Sequence, residues 1–150
     1  MNSNIYCLLA FIIGIGLSVQ TGLNSQLRAA LGSPIMAALA SFLVGSFALM
    51  MYAFIFQRQQ SIDCLINAKG IPYYKWVGGL LGACYVAGVI LVAPRIGMAN
   101  TTALIVAGQL LFALILDHFG LLGFMQHSFS VLRLLGVCFL VVGVTLILRN

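Results

Sequence analysis

The sequence predicts an all-α integral membrane protein with five transmembrane helices. Three observations carry that expectation. Of 150 residues, 63% are hydrophobic and only 6% charged, where a soluble domain carries roughly a quarter charged residues. Mean hydropathy is +1.15. Apolar runs close to the ~20 residues needed to cross a hydrocarbon core recur along the chain. The seven Lys and Arg residues are scattered and fall mainly near the ends of those runs, the pattern of the positive-inside rule or of snorkelling. The net charge of +5 is therefore no nucleic-acid footprint, and the partner of this surface is a lipid bilayer.

The chain reads as one five-helix transmembrane domain over 1–150, with spans at about 5–30, 35–56, 73–92, 98–116 and 131–148. The start, Met1-Asn2-Ser3-Asn4, lacks the basic region of a signal peptide, so the first span is expected to be retained. That span runs without a breaker from Ile5 to Ile15. Gly16, Gln20, Asn24 and Arg28 then recur at four-residue spacing, which on a continuous helix makes one drifting stripe of rising polarity. A bilayer tolerates such a stripe only under protein or a watery cavity. The alternative is a span that stops near Val19 and a wet connector after it.

Gly32-Ser33-Pro34 turns the chain, and Pro34 is suited to open the second helix. A polar connector follows over 57–72, holding Arg58, Asp63 and Lys69. Tyr73, Tyr74, Lys75 and Trp76 form an interfacial belt at the start of the third span. Pro94 and Gly97 are expected to bracket Arg95 at a tight corner. The fourth span ends at Asp117-His118. Phe119 to Met125 is apolar but too short to cross, which suggests an interfacial segment. The fifth span, Val131 to Leu148, has Arg133 and Arg149 at its two ends. An odd number of spans puts the two termini on opposite sides.

Small residues recur every four positions in three spans. They are Ala37, Ser41 and Gly45; Gly79, Ala83 and Ala87; and Ala99, Ala103 and Ala107. Such faces let helices approach closely where no hydrophobic effect drives association. Packing is the preferred reading of all nine. Cys7, Cys64, Cys84 and Cys138 form no CxxC pair and read as small buried hydrophobes.

No catalytic constellation emerges. The two acidic residues are Asp63 and Asp117, and the two histidines His118 and His127. HxxxH, GxSxG, P-loop and paired-carboxylate patterns are missing, and neither a metal site nor a cofactor is expected. Asp117 and His118 are adjacent, so on a helix they diverge by about 100°. They mark a membrane boundary or, alternatively, a pH-sensitive gate.

Polar residues inside spans are the better clue. Gln20, Asn24 and Arg28 lie on the first span, Tyr85 on the third, Arg95 at the corner, and Thr102 and Gln109 on the fourth. The topology puts Arg28 and Arg95 on one side, Asn24 and Thr102 deeper, and Gln20 and Gln109 deeper still. From Arg28 to Gln20 is about 12 Å along a helix. These residues are the candidate substrate pathway. The competing reading makes the amides interhelical glue.

The sequence resembles the YdcZ-like family of bacterial inner-membrane proteins, in the drug/metabolite transporter superfamily. The resemblance rests on Gln20-Thr21-Gly22-Leu23-Asn24 with Leu27-Arg28, on Gly32-Ser33-Pro34 and on Ser41-Phe42-Leu43-Val44-Gly45. It continues through Trp76-Val77-Gly78-Gly79-Leu80-Leu81-Gly82-Ala83, Ala93-Pro94-Arg95-Ile96-Gly97 and Gly108-Gln109-Leu110. Asp117-His118-Phe119-Gly120 and Arg133-Leu134-Leu135-Gly136 complete it. The resemblance implies an inner-membrane, multi-pass location and a unit equal to half of a ten-helix inverted-repeat transporter. Small multidrug relatives use a glutamate in their first span for proton exchange, and the first span here has no acidic residue.

The leading reading is therefore a small-molecule transporter working by alternating access, not an enzyme. A membrane subunit supporting a partner complex and a small dual-topology channel are the alternatives. Arginines at a cavity mouth favour an anionic or zwitterionic solute. Arg58, Lys69, Lys75 and Arg133 fall on one side, and Arg28, Arg95 and Arg149 on the other. That weak bias lets the chain insert both ways and leads to an expected antiparallel homodimer.

Overall fold

The structure is a computed structural model that describes residues 3–149, with backbone alone at Ser3, 65–67 and Lys69. Met1 and Asn2 of the expected leaderless start, and the Lys69 side chain of the charge count, lie outside the described residues. Every regular element among the described residues is helical. The helices are α1 (Ser3–Leu31), α2 (Pro34–Phe56), α3 (Arg58–Asn67), α4 (Val77–Ile96), α5 (Met98–Phe119) and α6 (Val131–Leu148). Short 3-10 turns occupy Ala68–Gly70, Tyr73–Trp76 and Leu121–Gly123. Five helical stretches are long and apolar enough to cross a membrane: Asn4–Leu31, Pro34–Phe56, Tyr73–Ile96, Met98–Phe119 and Val131–Leu148.

α1 is continuous through the polar stripe, so the wet connector after Val19 does not form. Its 29 residues span about 43 Å, more than the ~30 Å hydrocarbon core. The expected connector over 57–72 is itself mostly helical. α3 includes a side-chain bond from Gln59 Nε2 to Asp63 Oδ1 at 3.5 Å, one turn apart. The third span does not stop at Val92. α4 runs through Pro94 to Ile96, and Arg95 sits in its last turn. The corner belongs to Gly97 alone, whose φ of 88° suits a residue without Cβ. α5 likewise continues past Leu116 to Phe119.

The chain divides into two compact units, Met1–Pro94 and Arg95–Asn150. In the first, α1 and α2 pack together as a hairpin around a tight turn. Gly32, at φ 71°, returns its N–H to the Arg28 carbonyl at 2.8 Å. Ser33 Oγ accepts from the Met36 N–H at 3.3 Å, and Pro34 stands in the first helical turn, where its missing N–H costs nothing. The core is small. Ala37, Ala38 and Ile90 are buried, with Leu27, Val86 and Ala87 against them. Most other apolar side chains of α1 and α2 face outward, as lipid contact requires.

In the second unit, α5 and α6 pack together. Gly120 closes α5 in the left-handed conformation. Ser130 Oγ accepts from the Arg133 N–H at 3.2 Å and so caps α6. The loop between them folds back on the end of α5. The His127 N–H donates to the Asp117 carbonyl at 2.8 Å, and Gln126 Nε2 to the His118 carbonyl at 3.0 Å. The expected interfacial segment Phe119 to Met125 is thus a helix end, a 3-10 turn and the start of this loop. The four cysteines are free and exposed, which corrects their reading as buried. They are apolar residues on outward faces rather than core residues.

Candidate functional site

The first unit brings Gln20, Asn24 and Tyr85 together. They line one cavity, with Leu17 and Thr21 on α1 and Val86, Val89 and Ile90 on α4. The four-residue spacing of α1 puts Gln20 and Asn24 on the same face. Tyr85 and Val89 share the same spacing on α4. Thr21 turns its hydroxyl onto its own helix, donating to the Leu17 carbonyl at 2.9 Å. The cavity holds about 10 Å³, the space of a single water.

Asn24 is the unusual member. It is 6% exposed, the most buried amide of the described chain, and its side chain has no hydrogen-bond partner among the described residues. None of its polar atoms is sealed against the protein without a partner, so the amide opens onto the cavity. Gln20 is exposed, and it also borders a groove of about 210 Å³ along α1 and α2, with Ser41, Phe42, Gly45, Ser46 and Leu49.

Arg28 lies one turn beyond Asn24 and is half-buried. Its Nη1 donates to the Ile90 carbonyl at 3.0 Å. It has no acidic partner among the described residues, where the ion pair is Arg133 Nη1 to Asp117 Oδ2, at 3.6 Å. The small-residue positions of this unit differ in role. Ala37 is fully buried and Ala87 packs on the core, while Ser41 and Gly45 line the groove. Ala83 is half-buried, and Gly79 has open space around it.

Arg95, Thr102 and Gln109 belong to the second unit. Arg95 and Gln109 are exposed and Thr102 is half-buried, as are Ala103 and Ala107; Ala99 is exposed. The buried polar residue here is Thr101, 3% exposed, which the sequence reading missed. Its Oγ1 donates to the Gly97 carbonyl at 2.8 Å, and Asn100 Nδ2 donates to the Ile96 carbonyl at 2.8 Å. The available signal was a threonine four residues after the corner glycine, the spacing at which a hydroxyl returns to the helix backbone.

Asp117 and His118 form no dyad with each other. Asp117 faces Arg133. The His118 ring lies 4.8 Å from that of Phe119 and 4.5 Å from that of Phe129. Its Nδ1 accepts from the Phe129 N–H at 3.4 Å, so both residues organise the loop.

A family model described as "Putative inner membrane exporter, YdcZ" matches residues 5–146. The inner membrane protein YdcZ of Escherichia coli (strain K12) is 31% identical over 148 residues, covering 95% of each chain. No solved structure matches the chain.

Proposed function

Because the chain belongs to the YdcZ family, and is thus a multi-pass inner-membrane protein of an exporter-type family, we propose that it moves a small solute by alternating access. One observation carries this reading: the buried amide of Asn24, on a membrane-spanning helix, opens onto a cavity shared with Gln20 and Tyr85. An amide kept in a bilayer as interhelical glue would be expected to hold a partner, and this one holds none among the described residues. The pathway read from the sequence adds Arg28, Arg95, Thr102 and Gln109. The charge of Arg28 is uncompensated among the described residues, which favours an anionic or zwitterionic solute.

The working form is an antiparallel homodimer. The groove bordered by Gln20, Ser41 and Ser46 needs a cover in lipid. A single five-helix chain is half of the inverted-repeat plan, and opposed copies place one arginine rim at each face.

Vesicles reconstituted with the purified protein alone test this. A screen of metabolites for raised thermal stability supplies the candidates, and saturable flux of a stabilising solute is the expected result. Stabilising ligands without flux would favour the second reading, a supporting membrane subunit. The water-sized cavity is the observation on that reading's side.

A further inference from the structure

α4 carries Pro94 inside its last turn. Proline has no N–H, so the carbonyl four residues earlier, that of Ile90, lacks its helical donor. Ile90 is 1% exposed, and a buried carbonyl without a donor is costly, most of all in hydrocarbon. The missing donor comes from another helix. Arg28 Nη1 stands 3.0 Å from the Ile90 oxygen, across 62 residues of chain.

We propose that Arg28 latches a proline hinge in α4. By supplying the donor that Pro94 lacks, it holds the Tyr85-to-Ile90 wall against α1 and keeps the Asn24 cavity at the size of one water. Three features of the site fit a latch. Ile90 is both the acceptor and part of the cavity wall, so moving its carbonyl moves the wall. Arg28 has no ion pair among the described residues, so one hydrogen bond is its attachment to α4, and one bond can be exchanged for another. The segment beyond Ile90 is already short of a backbone bond, so bending there breaks one fewer than in an ordinary helix. Arg28 is on this account a positioning residue. The inference concerns the seam between α1 and α4 and does not depend on transport.

The test is a mutant cycle read by thiol labelling. In a cysteine-free background, Val89→Cys puts a thiol on the cavity wall, and its rate of reaction with a small membrane-permeant alkylating reagent reports opening. Arg28→Gln is expected to accelerate labelling about tenfold, as the latched population is lost. Pro94→Ala restores the backbone N–H, so the Ile90 carbonyl no longer needs arginine. The double variant Arg28→Gln/Pro94→Ala is therefore expected to label about as slowly as the parent. If Arg28→Gln fails to assemble, recovery of assembly by Pro94→Ala supports the latch equally. Unchanged labelling in Arg28→Gln overturns it. So does acceleration, or loss of assembly, that Pro94→Ala does not reverse, because Arg28 would then act through something other than this carbonyl.

Discussion

Replacing Asn24 with leucine separates a solute-facing amide from interhelical glue by the sign of a stability change. Leucine has the same number and branching of side-chain heavy atoms, so the packing outline is kept. The amide holds no hydrogen bond to the described protein, so the substitution breaks none. It also removes a polar group that is 6% exposed. Burying an amide that has no protein partner costs up to about 1–3 kcal/mol by mutational measures, and less where water in the adjoining cavity solvates it; the slightly larger methyl groups have that cavity to enter. Asn24→Leu is therefore expected to leave stability unchanged or to raise it by up to about 2 kcal/mol. Flux of a solute identified by the stability screen is expected to fall severalfold or more. Glue predicts the opposite sign, a loss of about 0.6 kcal/mol and at most about 1.7. Unfolding by graded SDS in mixed micelles, followed by the fluorescence of the single tryptophan, Trp76, measures the stability arm. A variant that loses more than about 1 kcal/mol with flux intact would refute the reasoning.

Ala37, fully buried against Ile90, is expected to lose about 1–3 kcal/mol as Ala37→Leu in the same titration. Gly45 has open space out to 4 Å around the position a Cβ would take. As Gly45→Ala it should lose less than Ala37→Leu, since within one chain the added methyl meets nothing; equal losses at both sites would contradict the packing assigned to them. Gln20→Leu and Gln109→Leu are expected to insert and assemble but to transport poorly, as measured by vesicle flux against membrane abundance. Organic cations are expected to be poor solutes, and saturable flux of a quaternary ammonium compound would oppose the role given to Arg28. A single cysteine near the C-terminus, labelled from outside intact cells by an impermeant reagent, is expected to react in a substantial fraction of molecules but not all. Complete labelling or none, with function retained by this chain alone, would exclude the antiparallel homodimer.

The hydrophobic framework is legible in the sequence because lipid imposes it locally. Span length, the Ser33-Pro34 cap and the four-residue rhythm from Gly16 to Arg28 all act within a few turns. The same arithmetic places Gln20 and Asn24 on one face. Tyr85 as their partner, and Arg28 as the donor to Ile90, depend on how helices far apart in sequence meet. Pro94 shows the limit well. Read locally, proline ends a helix, and the expected third span stops at Val92. The helix nonetheless continues to Ile96, and a remote arginine donates to the carbonyl that proline strands. Thr101 is passed over for Thr102 when the polar face is aligned on Gln109. One residue turns a helix by about 100°, enough to exchange the buried hydroxyl for its neighbour. The cysteines are misjudged for a different reason. Facing lipid and facing core call for the same apolar chemistry, and composition alone does not separate them.

The distance along the chain between Arg28 and Ile90 also bears on how the protein is made. The two residues are 62 positions apart, and ribosomes add about 5–20 residues each second. Arg28 is therefore synthesised about 3–12 s before its acceptor exists. During that interval the α1–α2 hairpin can form, joined as it is by Gly32 and Ser33, but the guanidinium has no helix to bind. Near the end of a helix about 43 Å long, it can meanwhile reach lipid phosphate. Arrival of α4 then exchanges a headgroup for a backbone oxygen. Until α4 arrives the guanidinium lacks its Ile90 acceptor, so a substitution at Arg28 meets the inserting hairpin before it meets the finished fold.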